Sequence, residues 1–485
     1  MNKQNLKPEG IFHYFHEICQ VPRPSKQEEK IIAYLIEFAQ KNKLTYKKDK
    51  IGNVLISKPA TPGMENKKTV ILQSHVDMVC EKNRDTEHNF LTDPIETLVE
   101  GDWMKANGTT LGADNGIGVA TQLAVLADNS LQHGPIECLF TVDEETGLSG
   151  AFALEEGFLS GEILLNLDSE DEGELFIGCS GGIDSVAEFN YTKVNVPANY
   201  FFFKIDIKGL TGGHSGGDIH LGLGNANKLL TRFLSQTIEK YDLYLCEIEG
   251  GNLRNAIPRE AHAVCAVPEE NKHALRADLN IFISEIENEI GVIEPNFKAV
   301  LESVPAQNEA IDKETTARLI KTLYAVPHGV HAMSQEIPGL VETSTNLASI
   351  KMRENQTIRI ETSQRSSILS ARDDMANTVR AAFELGGAKV SHGDGYPGWK
   401  PNPHSEIVEV AKESYKKLFQ VDPEIKAIHA GLECGLFLDK YPNLDMVSFG
   451  PTMRGVHSPD EKLHIPSVDK FWKHLVDILL NIPQK

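Results

Sequence analysis

Five short segments of this chain place His, Asp or Glu at or near the end of an apolar run. Apolar runs of this kind are typical of buried strands, and ligands of open α/β sheets bind beyond the carboxyl ends of the strands. Imidazole and carboxylate groups gathered at one such edge could bind divalent cations. The five segments span residues 74–77, 112–116, 142–147, 166–170 and 455–461.

The first segment reads SHVD and closes a run that is typical of a buried strand. Because residues two apart on a strand point to the same side, His75 could ligate a metal while Asp77 stands behind it. Asp77 would then accept a hydrogen bond from the other ring nitrogen and orient the imidazole. The alternative is a structural His at a strand end followed by a capping Asp, and the motif alone favours that alternative.

Two further segments carry carboxylates in turns. The GADNG segment has glycines that allow a tight turn and a close approach of the backbone, so Asp114 could bridge two cations. An ordinary Asp-Asn-Gly turn is the simpler reading of that segment alone. In residues 143–145 three successive acids repel one another unless cations compensate their charge, and a solvated acidic loop is the alternative.

The remaining segments place Asp168 directly after an apolar run and His457 in a loop near the C-terminus. Taken together, the five segments supply two histidines, several carboxylates and no cysteine. This set suits a pair of divalent ions, zinc first and cobalt or manganese as alternatives. Two ions about 3.5–4 Å apart activate a bridging water, and a nearby Glu takes its proton.

Six ordered motifs resemble the cocatalytic zinc peptidases, a family that includes aminoacylase, acetylornithine deacetylase, glutamate carboxypeptidase and bacterial dipeptidases. The resemblance covers essentially the whole chain and is strongest to the branch that cleaves Xaa-His dipeptides of the carnosine type. The motifs are SHVDMV, GADNG, DEETG, LDSED, GGHSG and GVHSPDE.

This resemblance implies a ligand set for two metals. His75 and Asp168 would hold one ion, Glu145 and His457 would hold the other, and Asp114 would bridge both. The resemblance also implies that Asp77 orients the first histidine, that Glu144 is the general base and later the acid, and that the peptide bond after Asp114 is cis.

The resemblance assigns substrate contacts to four further residues. His214, in LTGGHSGG, would help to polarise the scissile carbonyl. Asn255 and Arg365 would hold the C-terminal part of the substrate, since a guanidinium suits a carboxylate. Gly431 would lie near the substrate's N-terminal side, in a family segment, HAGLECGLF, that also contains Glu433.

Two other arginines, Arg254 and Arg359, are nearby alternatives for the carboxylate clamp. The other histidines, His429 among them, are interpreted as structural or surface residues. The insert is longer than the single lid of the family's shorter members, and a longer lid is typical of the dipeptidase branch, where it closes one active site without a partner's lid.

The elements that must position these residues follow from the apolar pattern. Residues 1–185 and 390–485 alternate strand and helix, which predicts an α/β sheet covered on both faces. With the resemblance, this indicates a phosphorylase/hydrolase-like zinc-peptidase catalytic domain in two parts, with an inserted α+β lid domain at residues 186–389. Ser25 and Glu28 form a capping-box pattern before the first predicted helix. The predicted strands are the start of 69–80, 136–142, 163–167, 201–207, 357–361 and 446–449, and the predicted helices are 31–38, 117–126, 225–234, 274–290, 313–323, 373–385, 406–418 and 468–480.

Composition excludes several classes of function. A formal net charge of −21 argues against a nucleic-acid or anionic-membrane partner, because both need a basic surface. No run approaches the roughly 18–20 apolar residues of a membrane helix, and the N-terminus lacks the apolar core of a signal peptide. Seven scattered cysteines without a C-x-x-C pair favour a reduced, cytoplasmic protein.

The function expected is that of a dipeptidase with broad specificity that includes Xaa-His dipeptides, so the expected partner is a short peptide. A tripeptidase, a carboxypeptidase and an N-acyl amino acid deacylase are alternatives, because they share the same metal chemistry. From another class, a non-catalytic peptide-binding protein is the alternative, and the intact set of five ligand positions and Glu144 argues against it. The sequence leaves open whether the chain forms a homodimer.

Overall fold

The computed structural model describes residues 6–402 and 404–485. The backbone divides into two compact units. The first consists of Met1–Gly178, Trp399–Ala427 and Leu432–Lys485, and the second of Cys179–Gly398 and Ile428–Gly431. The second unit therefore begins and ends slightly outside the predicted insert, and it takes in a short segment from the C-terminal part of the chain.

The described residues form helices and strands along the whole chain. The helices are α1 (Glu9–Cys19), α2 (Glu29–Lys41), α3 (Ala113–Ala127), α4 (Ser149–Ala153), α5 (Ala226–Lys240), α6 (Lys272–Ile290), α7 (Lys313–Ala325), α8 (Leu369–Leu385), α9 (Glu406–Phe419), α10 (Glu433–Lys440) and α11 (Ile465–Asn481). The strands are β1 (Thr45–Lys48), β2 (Val54–Lys58), β3 (Val70–His75), β4 (Thr97–Glu100), β5 (Trp103–Ala106), β6 (Ile136–Thr141), β7 (Ile163–Asn166), β8 (Glu174–Cys179), β9 (Gly181–Asn190), β10 (Lys193–Asn195), β11 (Tyr200–Lys208), β12 (Gly213–His214), β13 (Tyr244–Gly250), β14 (Ala256–Ile257), β15 (Ala261–Pro268), β16 (Lys298–Ser303), β17 (Glu309–Ile311), β18 (Gly329–Met333), β19 (Val341–Arg353), β20 (Thr357–Ser366), β21 (Lys389–His392), β22 (Glu424–Ile428), β23 (Asp445–Ser448), β24 (Met453–Arg454) and β25 (Lys462–His464).

An eight-stranded sheet in the order β1-β2-β6-β3-β7-β23-β8-β22 forms the centre of the first unit. Its middle strands β6, β3, β7 and β23 run parallel. Every residue of β3, β6 and β7 is buried, which is why these strands are mostly apolar rather than alternating in sequence. Helices α2, α3 and α9 pack against β2, β3 and β23, so the predicted α/β class is confirmed for this part of the chain.

A second, four-stranded sheet in the first unit has the order β24-β25-β5-β4. The antiparallel pair β24 and β25 is joined by the loop that carries His457. This small sheet therefore holds both ends of the loop that carries His457.

The second unit contains a nine-stranded sheet in which eight strands follow the order β16-β11-β15-β13-β19-β20-β9-β21, and β18 pairs with β19. Each half of that order is a β-α-β-β-α-β module. One module is β11-α5-β13-β15-α6-β16, and the other is β9-α7-β19-β20-α8-β21. The first module is nested inside the second, and the two meet edge to edge where β13 pairs with β19. The α+β pattern predicted from the sequence corresponds to this pair of modules.

Most predicted elements fall within or overlap an observed one, but the capping pattern differs and many strands were not predicted. The capping box is wrong: the Ser25 hydroxyl donates to Asp77, and Glu28 accepts from the backbone N–H of Lys26 and of Asp143 instead of capping α2. The sequence analysis also left many strands unpredicted, among them β9, β13, β15 and β19. The buried positions of β19 include a polar run at residues 343–346 that hydropathy does not mark as core.

No helix within residues 6–402 and 404–485 is long and apolar enough to cross a membrane.

Candidate metal centre

Three neighbouring parallel strands deliver most of the predicted ligands to one edge of the central sheet. His75 is the last residue of β3, Glu144 and Glu145 follow β6, and Asp168 follows β7. Because β6, β3 and β7 are adjacent and parallel, their carboxyl ends lie side by side. Asp114 joins them from the start of α3.

The five predicted metal ligands form two groups that share Asp114. His75, Asp114 and Asp168 make up one group, and Asp114, Glu145 and His457 make up the other; within each group the candidate ligand atoms lie within 4.8 Å of one another. Asp114 Oδ1 is 3.1 Å from His75 Nε2, and Asp114 Oδ2 is 3.2 Å from His457 Nε2. The two oxygens of one carboxylate therefore face two different histidines.

The remaining distances complete the groups. Asp168 Oδ1 is 3.5 Å from His75 Nε2, and Glu145 Oε2 is 3.0 Å from His457 Nε2. The other oxygen of Glu145 is buried and has no hydrogen-bond partner among the described residues. A buried carboxylate oxygen without a donor needs a cation, and nitrogen and oxygen ligands suit zinc or a similar divalent ion. The residues present therefore fit two divalent ions.

The electrostatics of the site point the same way. Hydrogen bonds with Asp114 and Glu145 raise the pKa of His457 to about 11, although burial opposes the charged form. Burial, followed by repulsion from Asp114, raises the pKa of Asp168 to about 6. The His457 shift reflects the negative charge of its two carboxylate partners, and the Asp168 shift reflects mainly burial with a contribution from Asp114; bound cations would compensate both.

Asp77 is fully buried and holds three parts of the site. Its Oδ1 is 3.3 Å from Nδ1 of His75, so that nitrogen carries the hydrogen and Nε2 presents its lone pair to the metal side. The same carboxylate accepts from the backbone N–H of Glu144 at 3.1 Å and of Glu145 at 3.2 Å, and from the Ser25 hydroxyl at 2.7 Å. Asp77 therefore fixes both acids that follow β6 as well as the imidazole.

Glu144 has the environment of a group that exchanges protons. One of its oxygens lies within 4.8 Å of candidate ligand atoms of His75 and Glu145. Burial raises the pKa of Glu144 well above its usual range, and repulsion from Asp168, Glu433 and Glu145 adds to the effect while His75 opposes it. A carboxylate whose pKa is shifted toward neutral can accept a proton and release it again.

The peptide bond between Asp114 and Asn115 is cis, as the resemblance implied. The Asn115 side-chain amide donates to Asp168, so the residue after the shared carboxylate also fixes a ligand of the first ion site.

A chain of buried polar groups lies beneath the candidate ligands. The resemblance had placed Glu433 near the substrate's N-terminal side, but its partners Gln73, Thr141 and Asn166 were missed. Glu433 accepts from Gln73 at 2.6 Å and from Thr141 at 2.8 Å, and Gln73 in turn accepts from Asn166 at 2.5 Å. These hydrogen bonds join the ends of β6, β3 and β7. Burial raises the pKa of Glu433 to about 8. The available signal was a polar residue at the end of each apolar run, where the neighbouring positions are apolar.

In the second unit, His214 lies in a glycine-rich loop and has a defined tautomer. Its Nδ1 accepts from the backbone N–H of Gly217 at 3.0 Å and of Gly216 at 3.3 Å, so Nε2 carries the hydrogen. Burial and the charge of Arg365 lower the pKa of His214. A neutral imidazole with a free N–H can donate to a carbonyl oxygen.

Arg365 is 7% exposed and donates from Nη1 to the Tyr396 hydroxyl at 2.9 Å, whereas its buried Nε has no hydrogen-bond partner among the described residues. Gly431 packs closely against the Tyr396 ring: an added Cβ would lie 3.0 Å from Cε2 of that ring. His429, predicted to be structural or surface, is buried and 2.7 Å from the Ser344 hydroxyl.

The other predicted residues of this unit are also placed. The Asn255 carbonyl accepts from the backbone N–H of Ser215 at 2.8 Å, which ties it to the residue after His214. The two alternative arginines are in ion pairs: Arg254 lies 2.8 Å from Asp184, and Arg359 lies 2.8 Å from Glu361. Of the three arginines, Arg365 has the buried, unpartnered donor.

Comparisons with known proteins agree with this chemistry. A model of peptidase family M20/M25/M40 matches residues 71–481. The cytosol non-specific dipeptidase of Escherichia coli (strain K12) is 46% identical over 480 residues, which are 99% of each chain. The crystal structure of aminoacylhistidine dipeptidase from Vibrio alginolyticus is 47% identical, has a TM-score of 0.92 and covers 100% of this chain and 99% of its own. A tripeptidase from Staphylococcus aureus, 16% identical with a TM-score of 0.58 over 98% of this chain and 99% of its own, shares the fold.

We predict that the protein binds two divalent ions and that the two groups can be separated by mutation. His457→Ala should reduce the bound zinc from two ions to one, whereas Asp114→Ala should weaken both sites because it supplies an oxygen to each group. Equilibrium dialysis with metal analysis measures the stoichiometry. His262→Ala is the control, because His262 forms a further three-donor group with Glu247 and Glu249 in the second unit. A loss of one ion in the control but not in His457→Ala would contradict the assignment.

We also predict a pH dependence from Glu433 in the metal-free protein. Its pKa of about 8 in the folded state lies above the ordinary 4.5, so the folded state holds this proton more tightly. The free energy of unfolding should therefore fall as the pH rises from 4.5 to 8, by up to about 1.4 kcal/mol per pH unit. Glu433→Gln should remove that contribution, as urea unfolding at several pH values would reveal. The exposed Glu413→Gln is the control, and parallel curves for wild type and Glu433→Gln would refute the prediction.

Proposed function

Since this chain belongs to peptidase family M20/M25/M40, we propose that it is a metallo-dipeptidase of broad specificity whose substrates include Xaa-His dipeptides of the carnosine type. The membership confirms the resemblance seen in the six sequence motifs. The observation that carries the proposal is the pair of three-donor groups that share Asp114 and lie beside Glu144. Relatives at 46% and 47% identity bear the names cytosol non-specific dipeptidase and aminoacylhistidine dipeptidase.

Five side chains would hold the two ions, for which the donor set suits zinc: His75 and Asp168 on one side, Glu145 and His457 on the other, and Asp114 between them. When bound, the ions supply Lewis acidity that favours ionisation of water and polarises the peptide carbonyl.

Glu144 then moves the proton. Its carboxylate takes a proton from the attacking water and passes it to the nitrogen of the leaving amine, which completes the cleavage of the peptide bond. The raised pKa of Glu144 suits both halves of this role, because a carboxyl that is too acidic would not keep the proton for the second step. Asp77 supports the transfer by holding the backbone of Glu144.

The second unit has one group suited to a scissile carbonyl oxygen and one group suited to the C-terminal carboxylate of a short peptide. The Nε2–H of neutral His214 can donate to the scissile carbonyl oxygen as negative charge develops there. The buried, unpartnered Nε of Arg365 can bind a free carboxylate such as the C-terminus of a dipeptide. Asn255 would assist at the C-terminal part of the substrate, and Gly431 would leave room on its N-terminal side.

The alternatives within the family use the same ligands and base. The names of the two relatives above 45% identity favour a dipeptidase over a tripeptidase, a carboxypeptidase or a deacylase. A non-catalytic peptide-binding protein would have no use for a base with a raised pKa beside two metal sites. The name of the Escherichia coli relative also supports a cytosolic location for this chain.

The proposal predicts a pattern of substrates and one decisive variant. The zinc-loaded protein should hydrolyse β-Ala-His and Gly-His, and it should act more slowly on Leu-Gly-Gly and on N-acetyl amino acids. Glu144→Gln should lower kcat about 10²–10⁴-fold, because the proton acceptor is lost, while two ions remain bound. The exposed Glu156→Gln is the control. Loss of an ion together with activity in Glu144→Gln would mean that Glu144 is a ligand and that the base is elsewhere.

A second prediction concerns the carboxylate clamp. Arg365→Ala should raise KM for dipeptides and reduce the discrimination against C-terminally amidated ones, because the free carboxylate loses its guanidinium. His214→Ala should instead lower kcat, since its N–H acts on the developing charge. Steady-state kinetics on Gly-His and its amide test both variants. Arg359→Ala is the matched control, and if it reproduces the Arg365→Ala pattern, the clamp has been assigned to the wrong arginine.

A further inference from the structure

Glu461 makes an unusual set of hydrogen bonds for a buried carboxylate. It is 2% exposed and accepts from four successive backbone N–H groups: Leu111 at 2.7 Å and Gly112 at 2.9 Å through Oε2, and Ala113 at 2.7 Å and Asp114 at 3.3 Å through Oε1. These amides precede or open α3, where backbone N–H groups lack acceptors within the helix. Both oxygens of one side chain are thus used to fix a single turn of backbone.

Arg23 holds the same turn from its carbonyl side. Its guanidinium is 2% exposed and donates to the Gly112 carbonyl at 2.6 Å, and to the Val76 and Asp77 carbonyls at 3.0 and 3.1 Å. One cation therefore ties the turn before Asp114 to the end of the strand that carries His75. Glu461 therefore accepts from the N–H groups of residues 111–114, and Arg23 donates to the Gly112 carbonyl in the same turn.

Gly112 shows how little freedom this turn has. Its φ of +67° is in the left-handed region, and an added Cβ would lie 2.6 Å from Arg23 Nη2 and 2.8 Å from Met78 Sδ. Only glycine fits there, so the turn that precedes the shared carboxylate is set by close packing as well as by hydrogen bonds.

The position of Glu461 in the chain links the two sides of the metal centre. It lies four residues after His457, in the loop between β24 and β25. The loop that supplies one ligand of the second ion group therefore also grips the backbone of Asp114, whose oxygens face both groups. A displacement of this turn would move Asp114 relative to His75 and to His457 at once.

Stability alone is a poor explanation for these two buried charges. Taking a carboxylate and a guanidinium out of water is costly, and well-packed apolar residues often stabilise a fold as well or better. The hydrogen bonds offset this cost only when the turn adopts the geometry seen here. The pair is suited to specifying one backbone conformation.

We propose that Glu461 is a positioning residue that sets the place of Asp114 between the two ion groups, with Arg23 as its counterpart on the opposite edge of the turn. This inference rests on the proposed two-metal function. Its consequence is that the affinities for the two ions are coupled through one backbone turn, although neither side chain is a predicted ligand or touches the base.

The test is Glu461→Gln in the full-length protein, with zinc titration as the first measurement. A Gln amide nitrogen would face backbone N–H groups that need acceptors, so the turn should shift. We expect the affinity for zinc to fall about 10–100-fold, which is typical when a group supporting a metal ligand is lost. At limiting zinc, kcat for Gly-His should fall with little change in KM, and added zinc should restore part of it.

Asp460→Asn is the matched control, because Asp460 is the exposed neighbour in the same loop, and it should leave zinc affinity unchanged. A folded Glu461→Gln that binds both ions with wild-type affinity overturns the proposal, and so does a variant that loses only thermal stability. If Glu461→Gln does not fold, Arg23→Lys takes its place, since an ammonium cannot span three carbonyls in the same way. Wild-type zinc affinity in Arg23→Lys would likewise overturn it.

The zinc titration separates this inference from the proposed function. If the wild type cleaves no dipeptide while Glu461→Gln still loses zinc affinity, the proposed substrate class fails and the positioning role stands. If the wild type cleaves dipeptides and the variant binds zinc normally, only the positioning role fails.

Discussion

Repulsion among carboxylates at one edge of the central sheet is the constraint on which the rest of the first unit depends. Glu144, Glu145 and Asp168 follow three adjacent parallel strands, and Asp114 faces them from the start of α3. At such separations in buried surroundings, these groups cannot all be ionised without compensating positive charge. The raised pKa of His457, caused first by its hydrogen bonds with Asp114 and Glu145, reflects this excess of negative charge. Two divalent ions are the compensation that the donor set fits.

The fold meets the same constraint by placing backbone N–H groups around its other buried acids. Asp77 accepts from two successive amides after β6, Glu461 from four amides before α3, and Glu28 from the amides of residues 26 and 143. Hydrogen bonds to an ionised group are stronger than those between neutral groups, so each acid stabilises one loop conformation. The acids that are not ligands thereby fix the loops that carry the ligands.

The second unit is built to hold the two groups that we propose for substrate binding, His214 and Arg365. Its nested modules share one hydrophobic core that includes Phe189 and Phe383 from one module and Phe233 and Phe282 from the other. On this scaffold, a glycine-rich loop fixes the tautomer of His214, and the buried Arg365 keeps one donor unpaired. Leaving a buried donor without a partner is costly, which makes it a feature of recognition more than of stability. The chemistry proposed for this unit therefore depends on a single tautomer of His214 and on the unpaired donor of Arg365.

The sequence by itself determined the types and order of the candidate ligands, the α/β class of the first unit and the α+β character of the second. These properties are local: buried parallel strands read as apolar runs, and each ligand stands within a few residues of such a run or of a glycine turn. The cis bond after Asp114 and the role of Asp77 behind His75 also came from short motifs. The motifs also identified His214 and Arg365 as candidate substrate contacts. The sequence alone could not distinguish Arg365 from Arg359 as the carboxylate-binding arginine.

Only the tertiary structure decided which oxygen of Asp114 faces which histidine, and where Ser25, Glu28, Arg23 and Glu461 make their hydrogen bonds. Ser25 and Glu28 have the sequence pattern of a helix cap, yet both bind groups of the site, Asp77 and the amide of Asp143. Glu461 reaches an amide 350 residues away in the chain. Such contacts depend on how distant strands and loops are brought together, and a periodic pattern of apolar residues fixes which elements form without fixing which polar groups then meet.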